Sequence, residues 1–336
     1  MNSLTTTTKR GALAPNLERL RVDPDQLRAN MERFAANVRA KGTRATYAAQ
    51  WRLFCEWCAV NGAQPVPATP AAAGAYISHL FDAGKSRSTI DVAVASIKDA
   101  HMEAGAADPF ADAGVKRLMQ GVVRTLVETG RTRPRVKKTI SQDDLRALAA
   151  AAGDTLIGMR NRALVLVGYA GWCRRSEPLK LRAENIEWSD TSAQCWLGAT
   201  KTDQTGQAGE YITVPRIADE SICGYRALRR WLDAAAIQHG PVFVHVKRGV
   251  VGEQPITRES YINEIVETLA QRAGIDPARV APHRTFRASP ITAAVRKGVP
   301  AAAVSQRARH KSFETTKKYI EANPADNEAT GRAVYE

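Results

Sequence analysis

From Asp23 to about residue 130, apolar residues recur at three- and four-residue spacing, and no alternating pattern interrupts them. A stretch of that length with a helical period and no strand period folds as helices alone. Asp23-Pro24 reads as an N-cap with proline at the first helical position, and Gly42 closes that helix. Thr43 caps the next, where Tyr47, Trp51, Phe54, Cys55 and Cys58 share a face. Thr69-Pro70 repeats the cap-and-proline signal, and Gly84 ends the segment. Ser88 opens a fourth helix carrying Ile90, Val94 and Ile97, which Gly105 ends. Val115, Leu118, Met119, Val122 and Leu126 form a fifth stripe. Residues 23–130 thus read as one all-helical domain, behind a tail at 1–22 with a threonine run and no apolar period.

The next segment, residues 131–138, reads RTRPRVKK. It contains Arg131, Arg133, Arg135, Lys137 and Lys138 and no acidic residue, and Pro134 disfavours helix. Residues 131–140 are expected to be an extended linker. Its basic run is either a solvated loop or a DNA-binding strap along a phosphate backbone. A second domain, 141–336, opens at Ser141, where Ser141 and Asp144 have capping-box spacing. Helices are expected near 142–152, 159–170, 219–236 and 258–273. Residues 193–199 and 210–214 read as short strands joined by TDQTGQAG, and 242–246 as another. The fold class is mainly α with a small antiparallel sheet.

A chain of 336 residues is about right for two domains. No stretch approaches the apolar length of a membrane span, so no membrane partner is expected. The first twenty residues show no apolar signal region. Five cysteines at irregular spacing argue against a disulfide framework and for a reducing compartment. A cytoplasmic, nucleoid-associated location is expected. The 48 basic residues exceed the 34 acidic ones by 14. Residues 1–130 hold 16 basic and 12 acidic residues and residues 131–336 hold 32 and 22, so the excess concentrates after residue 130. Such a chain most often meets a polyanion.

Cys55-x-x-Cys58 has no second pair to complete a zinc site, and both cysteines fall on an apolar helix face, so they read as core. No histidine pair has ligand spacing. No phosphate-binding Gly-Lys-Ser/Thr loop and no Gly-x-Ser-x-Gly elbow is present, so a nucleotide cofactor and acyl transfer are unsupported. The second domain instead carries an ordered series. Arg174 precedes Glu177 by three in GWCRRSEPLKL. Lys201 stands at the start of the expected hairpin loop. His283, Arg284 and Arg287 cluster in PHRTFRAS. His310 follows in RHKS, and Tyr319 comes nine residues after it.

In that order and spacing, residues 25–336 resemble the tyrosine recombinases of the phage integrase family, most closely their Cre-like branch. The resemblance implies that Arg174 is the first family arginine with Glu177 supporting it. It implies that Lys201 is the hairpin lysine, Arg287 the second arginine, His310 the late histidine and Tyr319 the nucleophile. It further implies a two-domain clamp around double-stranded DNA, four protomers on two recombination sites and a Holliday-junction intermediate. The expected chemistry needs no metal and no cofactor. A tyrosine phenolate can attack a phosphodiester and later leave it, storing the bond as a phosphotyrosine. Two arginines clamp the non-bridging oxygens. The lysine protonates the departing 5′-oxygen.

The sequence departs from the family pattern in three places. The residue three before Arg287 is Arg284, where the family writes histidine, and His283 stands one step earlier. Arg284 is therefore expected to act as a phosphate donor, with His283 a possible alternative on the same face. Ser289-Pro290 reads as the start of a helix just after Arg287. An extra residue separates Gly171 from Arg174. The C-terminal segment 325–336 reads as either a short docking helix or a frayed tail. Two alternatives to a site-specific recombinase stay open: a type IB topoisomerase-like enzyme, and a catalytically impaired DNA-binding protein of the same fold.

Overall fold

Side chains set most of the helix starts. The structure, a computed structural model, describes residues 23–37, 41–132, 139–198 and 209–321. The tail 1–22, the segment 325–336, Lys201, Arg133, Arg135, Lys137 and Lys138 lie outside the described residues. The chain divides into two compact units, 1–133 and 134–336.

The first unit contains α1 (Pro24–Asn37), α2 (Lys41–Val60), α3 (Pro70–Asp82), α4 (Arg87–Glu103) and α5 (Ala113–Glu128). Thr69 caps α3, its hydroxyl accepting from the Ala72 N–H at 3.1 Å. Gly84, in the left-handed region at φ 72°, ends it. Two expected boundaries are corrected. Gly42 and Thr43 lie inside the first turn of α2 and do not separate two helices. The N–H groups of a first turn have no intrahelical partner, so a glycine there breaks no hydrogen bond. The cap of α4 is Ser86, not Ser88; its hydroxyl accepts from Thr89 N–H at 3.2 Å. The earlier start also places Arg87 one turn before Asp91, its ion-pair partner at 2.7 Å. Phe54, Cys58, Tyr76, Ile77, Leu80, Ile90, Ile97 and Leu126 form this unit's core. Cys58 is buried within it, while Cys55 is half-buried at its edge. Buried His101 is satisfied: Nε2 accepts from Ala68 N–H at 2.9 Å, and Nδ1 donates to the Ile97 carbonyl at 2.8 Å.

In the second unit the capping box forms in both directions. Ser141 Oγ accepts from Asp144 N–H at 3.0 Å, and Asp144 Oδ2 accepts from Ser141 N–H at 2.8 Å. It starts α6 (Gln142–Ala151). Thr155 caps α7 (Leu156–Ala170), whose residues Ala163 to Gly168 are all buried. Strands β1 (Ile186–Trp188), β2 (Ser192–Trp196) and β3 (Tyr211–Pro215) make one antiparallel sheet in sequence order. Three residues of β1 are too few to show a period, so its pairing is visible only in the sheet. After α8 (Gly224–Ala234) come the hairpin β4 (Val244–Lys247) and β5 (Val250–Pro255), then α9 (Glu259–Arg272). Gly252 and Pro255 hide β5 from a propensity reading.

The chain's last helices follow a π-helical turn, Arg284–Ala288, which runs directly into α10 (Ser289–Arg296). Ser289 is therefore not an N-cap. Its backbone is helical, and its hydroxyl donates to the Arg284 carbonyl at 2.9 Å while accepting from Ile140 N–H at 3.0 Å. Pro290 has no N–H, and in an α-helix its ring would meet the carbonyl four residues back. The wider π turn relieves that clash. Two short helices close the described chain, α11 (Ala301–Arg307) and α12 (Phe313–Glu321). Trp172, Ile291, Val295, Val304 and Ala308 form a separate small core that holds α10 and α11 to the end of α7. The class is mainly α with small antiparallel sheets. No helix among the described residues is long and apolar enough to cross a membrane.

Gly168 faces the π turn, and a Cβ there would stand 2.7 Å from the Phe286 ring. Overpacking at such a contact costs about 1–3 kcal/mol, more than the roughly 1 kcal/mol that alanine gains over glycine in a helix. Gly168→Ala is expected to lower the urea midpoint of this unit. An unchanged midpoint would show that Phe286 has room to yield.

Candidate active site

The site begins where α7 stops. Cys173 N–H bonds back to the Gly168 carbonyl at 2.9 Å, and Trp172 between them takes the left-handed conformation at φ 51°. Trp172 accepts that conformation because its indole packs in the small core of α10 and α11. Its carbonyl then faces Arg287. The chain turns again at once, with Glu177 N–H bonded to the Arg174 carbonyl at 3.0 Å. Arg174 and Glu177 therefore meet across a tight turn, not along a helix face.

Glu177 is only 2% exposed, and its carboxylate is fully engaged. Oε1 accepts from Arg174 Nη1 at 2.6 Å. Oε2 accepts from the Arg174 main-chain N–H at 2.7 Å and from Arg309 Nη2. Arg174 Nη2 in turn donates to the Arg309 carbonyl at 3.1 Å. A buried carboxylate with three charge-assisted or main-chain donors has its desolvation offset.

Arg287 rises from the π turn into the same space. Nη1 donates to the Trp172 carbonyl at 2.9 Å, and Nη2 donates to the Ala308 carbonyl. Both acceptors are neutral. Burial, with the charges of Arg174 and Arg309, pushes its pKa down to about 10, so it stays charged at neutral pH. His310 follows Arg309, and its Nδ1 shares a hydrogen bond of 2.8 Å with the Thr316 hydroxyl. Its ring lies nearly parallel to that of Tyr319, 13° off plane with centroids 6.2 Å apart. Burial first, then Arg287, Arg174 and Arg309, hold its pKa down to about 4, so the imidazole is neutral in the working range. Tyr319, half-buried on α12, has its phenol pushed up by burial, with Arg287 pulling the other way.

The structure thus brings together Arg174, Glu177, Arg287, His310 and Tyr319. Arg284 points elsewhere, donating to the Ala278 carbonyl. His283 is exposed at the start of the π turn. The charges acting on His310 come from Arg287, Arg174 and Arg309, with neither of these two residues among them. Arg131, on the first unit, donates to the Phe81 and Lys85 carbonyls at 3.1 and 3.0 Å and covers the Phe81 ring. It closes the C-terminal end of α3. Lys201 is outside the described residues, which resume at Gly209, just before Glu210. That residue's carboxylate lies 3.7 Å from both Arg174 Nη1 and Arg309 Nε.

Two contributors are not apparent from the sequence. Arg309 is inside the cluster, although its only signal is adjacency to His310. Arg307 straps the site from outside, donating to the Ala170 carbonyl at 2.9 Å and lying 5.2 Å from the Trp172 ring. Among the described residues no group of His, Cys, Asp and Glu is placed to hold a metal ion. The arrangement can bind a tetrahedral anion between guanidinium groups beside a phenol.

Residues 138–326, more than half of the chain, match the model of the phage integrase family. An integrase/recombinase xerD homolog of Selenomonas ruminantium is 31% identical over 301 residues, covering 88% of this chain and 86% of that protein. The tyrosine recombinase XerD of Xanthomonas axonopodis pv. citri (strain 306) is 29% identical over 189 residues, 54% of this chain and 57% of its own length. Among solved structures, the Tn1549 transposon integrase in complex with transposon right end DNA aligns with TM-score 0.55 at 15% identity, over 90% of this chain and 98% of that one. A lambda integrase dimer bound to a COC' core site gives 0.53 at 12% identity, over 88% and 94%. At such identities the two structures establish a shared fold. The relatives named carry XerD titles, which support the family and leave its Cre-like branch without support. With its family model, a relative above 30% identity and this fold in agreement, the chain belongs to the phage integrase family, the tyrosine recombinases of site-specific DNA recombination.

Proposed function

We propose that Tyr319 is the nucleophile and that Arg174 and Arg287 hold the scissile phosphate of a double-stranded DNA site. The observation that carries this is a charge imbalance beside a phenol. Three guanidinium groups, Arg174, Arg287 and Arg309, face two carboxylates, Glu177 and Glu210, next to a neutral His310 and Tyr319. A buried excess of positive charge is expensive until an anion enters.

In this reading the phenolic oxygen bonds to phosphorus and the bond from phosphorus to the 5′-oxygen breaks, leaving a 3′-phosphotyrosyl enzyme. Lys201 gives its proton to the departing oxygen. The phenol is protonated in the resting site, so its proton must leave as it attacks. His310 is the nearest neutral base, and a bound phosphate would cancel part of the arginine field that weakens it. Rejoining reverses the step, with a 5′-hydroxyl attacking the phosphotyrosine. The Arg284 contact with Ala278 supports it as a brace for the turn that carries Arg287. The assembled cluster favours an active enzyme over an impaired binder. A homotetramer on two sites and a Holliday junction accord with the family, and the basic run 131–138 accords with a phosphate strap.

Tyr319→Phe is expected to bind a nicked duplex as the wild type does and to form no covalent adduct on a denaturing gel. The ring is retained, so stability should change little. A persisting adduct would place the nucleophile elsewhere.

His310 supplies a pH test. Its folded pKa, about 4, lies below the unfolded value of about 6.5. The unfolded chain therefore binds the proton more readily. Stability from this group is full above pH 6.5 and is lost as pH falls through 6.5 toward 4. An NMR titration of His310 in DNA-free protein should show a midpoint well below 6.5. A midpoint at or above 6.5 would mean that the three arginines do not face it.

A further inference from the structure

Arg309 occupies a place where an arginine is unexpected. It follows the last turn of α11, and the two closing bonds run from Arg309 N–H to the Gln306 carbonyl at 2.9 Å and from His310 N–H to Ser305 at 3.1 Å. The residue at this corner is left-handed, here at φ 52°. Glycine is the usual occupant because a Cβ is penalised there. An arginine at such a corner would ordinarily extend into water. This one is folded inward, with its side chain 11% exposed.

Inside, it reaches two separate segments, the turn after α7 and the residue before β3. Nη2 donates to Glu177 Oε2, and Nη1 reaches the Gly171 carbonyl at 3.4 Å. Nε lies 3.7 Å from Glu210 Oε2, at the foot of β3. Both of those atoms are buried, and they meet as an ion pair longer than a hydrogen bond. Its main-chain carbonyl meanwhile accepts from Arg174. We infer that Arg309 is a positioning residue of the active site: one guanidinium that locks Glu177 against Arg174 and ties the Glu210 end of the β2–β3 hairpin to the turn bearing His310. The inference rests on the strand-cleavage reading for its effect on rate. Its geometry stands without it.

Charge counting gives the consequence. With Arg309, the described cluster holds three guanidinium groups against two carboxylates. Without it the count is two against two, and a phosphate would enter a neutral site beside Glu210 and Glu177. The charges that act on His310 include Arg174 from the turn after α7 and Arg287 from the π turn. Arg309 acts on it from the end of α11, and Thr316 and Tyr319 lie beside it on α12. Removing Arg309 alone takes away one of the three cations that hold the imidazole neutral.

Arg309→Gly suits the left-handed corner, so the backbone should be unstrained, and Arg309→Lys keeps the charge. Three quantities are measured: adduct formation on a nicked duplex under single turnover, the His310 titration by NMR in DNA-free protein, and the thermal midpoint. Arg309→Gly is expected to slow adduct formation by about tenfold to a hundredfold and to raise the His310 midpoint measurably, by less than burial, Arg287 or Arg174 lower it. Arg309→Lys should return the midpoint and recover part of the rate. A glycine variant with wild-type rate and an unmoved His310 midpoint overturns the inference. So does a rate loss that tracks a collapsed thermal midpoint while His310 is unmoved. If the wild type itself forms no adduct, the strand-cleavage reading fails, and the His310 shift in DNA-free protein still decides the role of Arg309.

Discussion

The carboxylate of Glu177 is the fixed point of the catalytic unit. It is buried, and it receives the Arg174 side chain, the Arg174 main chain and Arg309. Removing one partner of such a buried network typically costs about 3–5 kcal/mol, because the survivor is left charged and unsolvated. Arg174 and Arg309 are placed relative to this carboxylate. The turn after α7 is closed by Arg174 and Glu177, and the turn after α11 is closed by Arg309. Two chain reversals far apart in sequence are thereby held face to face.

The second constraint is a cage of main-chain carbonyls around Arg287. The Trp172 carbonyl is available because Trp172 is left-handed, and the Ala308 carbonyl because α11 ends there. Neither acceptor carries a full charge. They fix the guanidinium's direction without consuming its positive charge, so the charge stays available to a ligand. The π turn before Pro290 completes this design. An α-helical register would place proline against a carbonyl, and the extra residue of the π turn both avoids that and aims Arg287 inward. Turns of this type occur at functional sites for that reason.

The helices of the first unit are legible because their signals are local. Thr69 with Pro70, Gly84 and the apolar stripes each act within a few residues, and the structure realises them. The errors at Ser88, Gly42 and Thr43 are also local: several polar or flexible residues compete for one boundary, and tertiary packing chooses among them. The small strands β1 and β5 exist through their partners, so their own residues say little. At the site, Arg174, Glu177, Arg287, His310 and Tyr319 are singled out by the resemblance that their order carries, and they converge in space. Arg309 escapes notice because its role depends on a left-handed corner and on a carboxylate 132 positions earlier. Arg284 has the right spacing from Arg287, but the π turn rotates the positions before Arg287 differently from an α-helix. Its guanidinium ends on the Ala278 carbonyl.

The same arginines that bind an anion also determine whether the site can move a proton. In the resting protein they and burial keep His310 neutral and oppose its protonation. Tyr319 is under the opposite pressure: burial keeps its proton on, and only Arg287 pulls toward the phenolate. Neither group is matched for proton transfer while the site is empty. In the proposed reading, a bound phosphodiester offsets the guanidinium field at both groups, so the imidazole becomes a better base while the phenol loses part of the Arg287 pull. On the same reading, Tyr319 is activated by His310 taking its proton as it attacks, which a seated phosphate favours by restoring the imidazole's basicity. A resting tyrosine with a raised pKa is therefore compatible with its use as a nucleophile, and it guards the site against reaction before the substrate is seated.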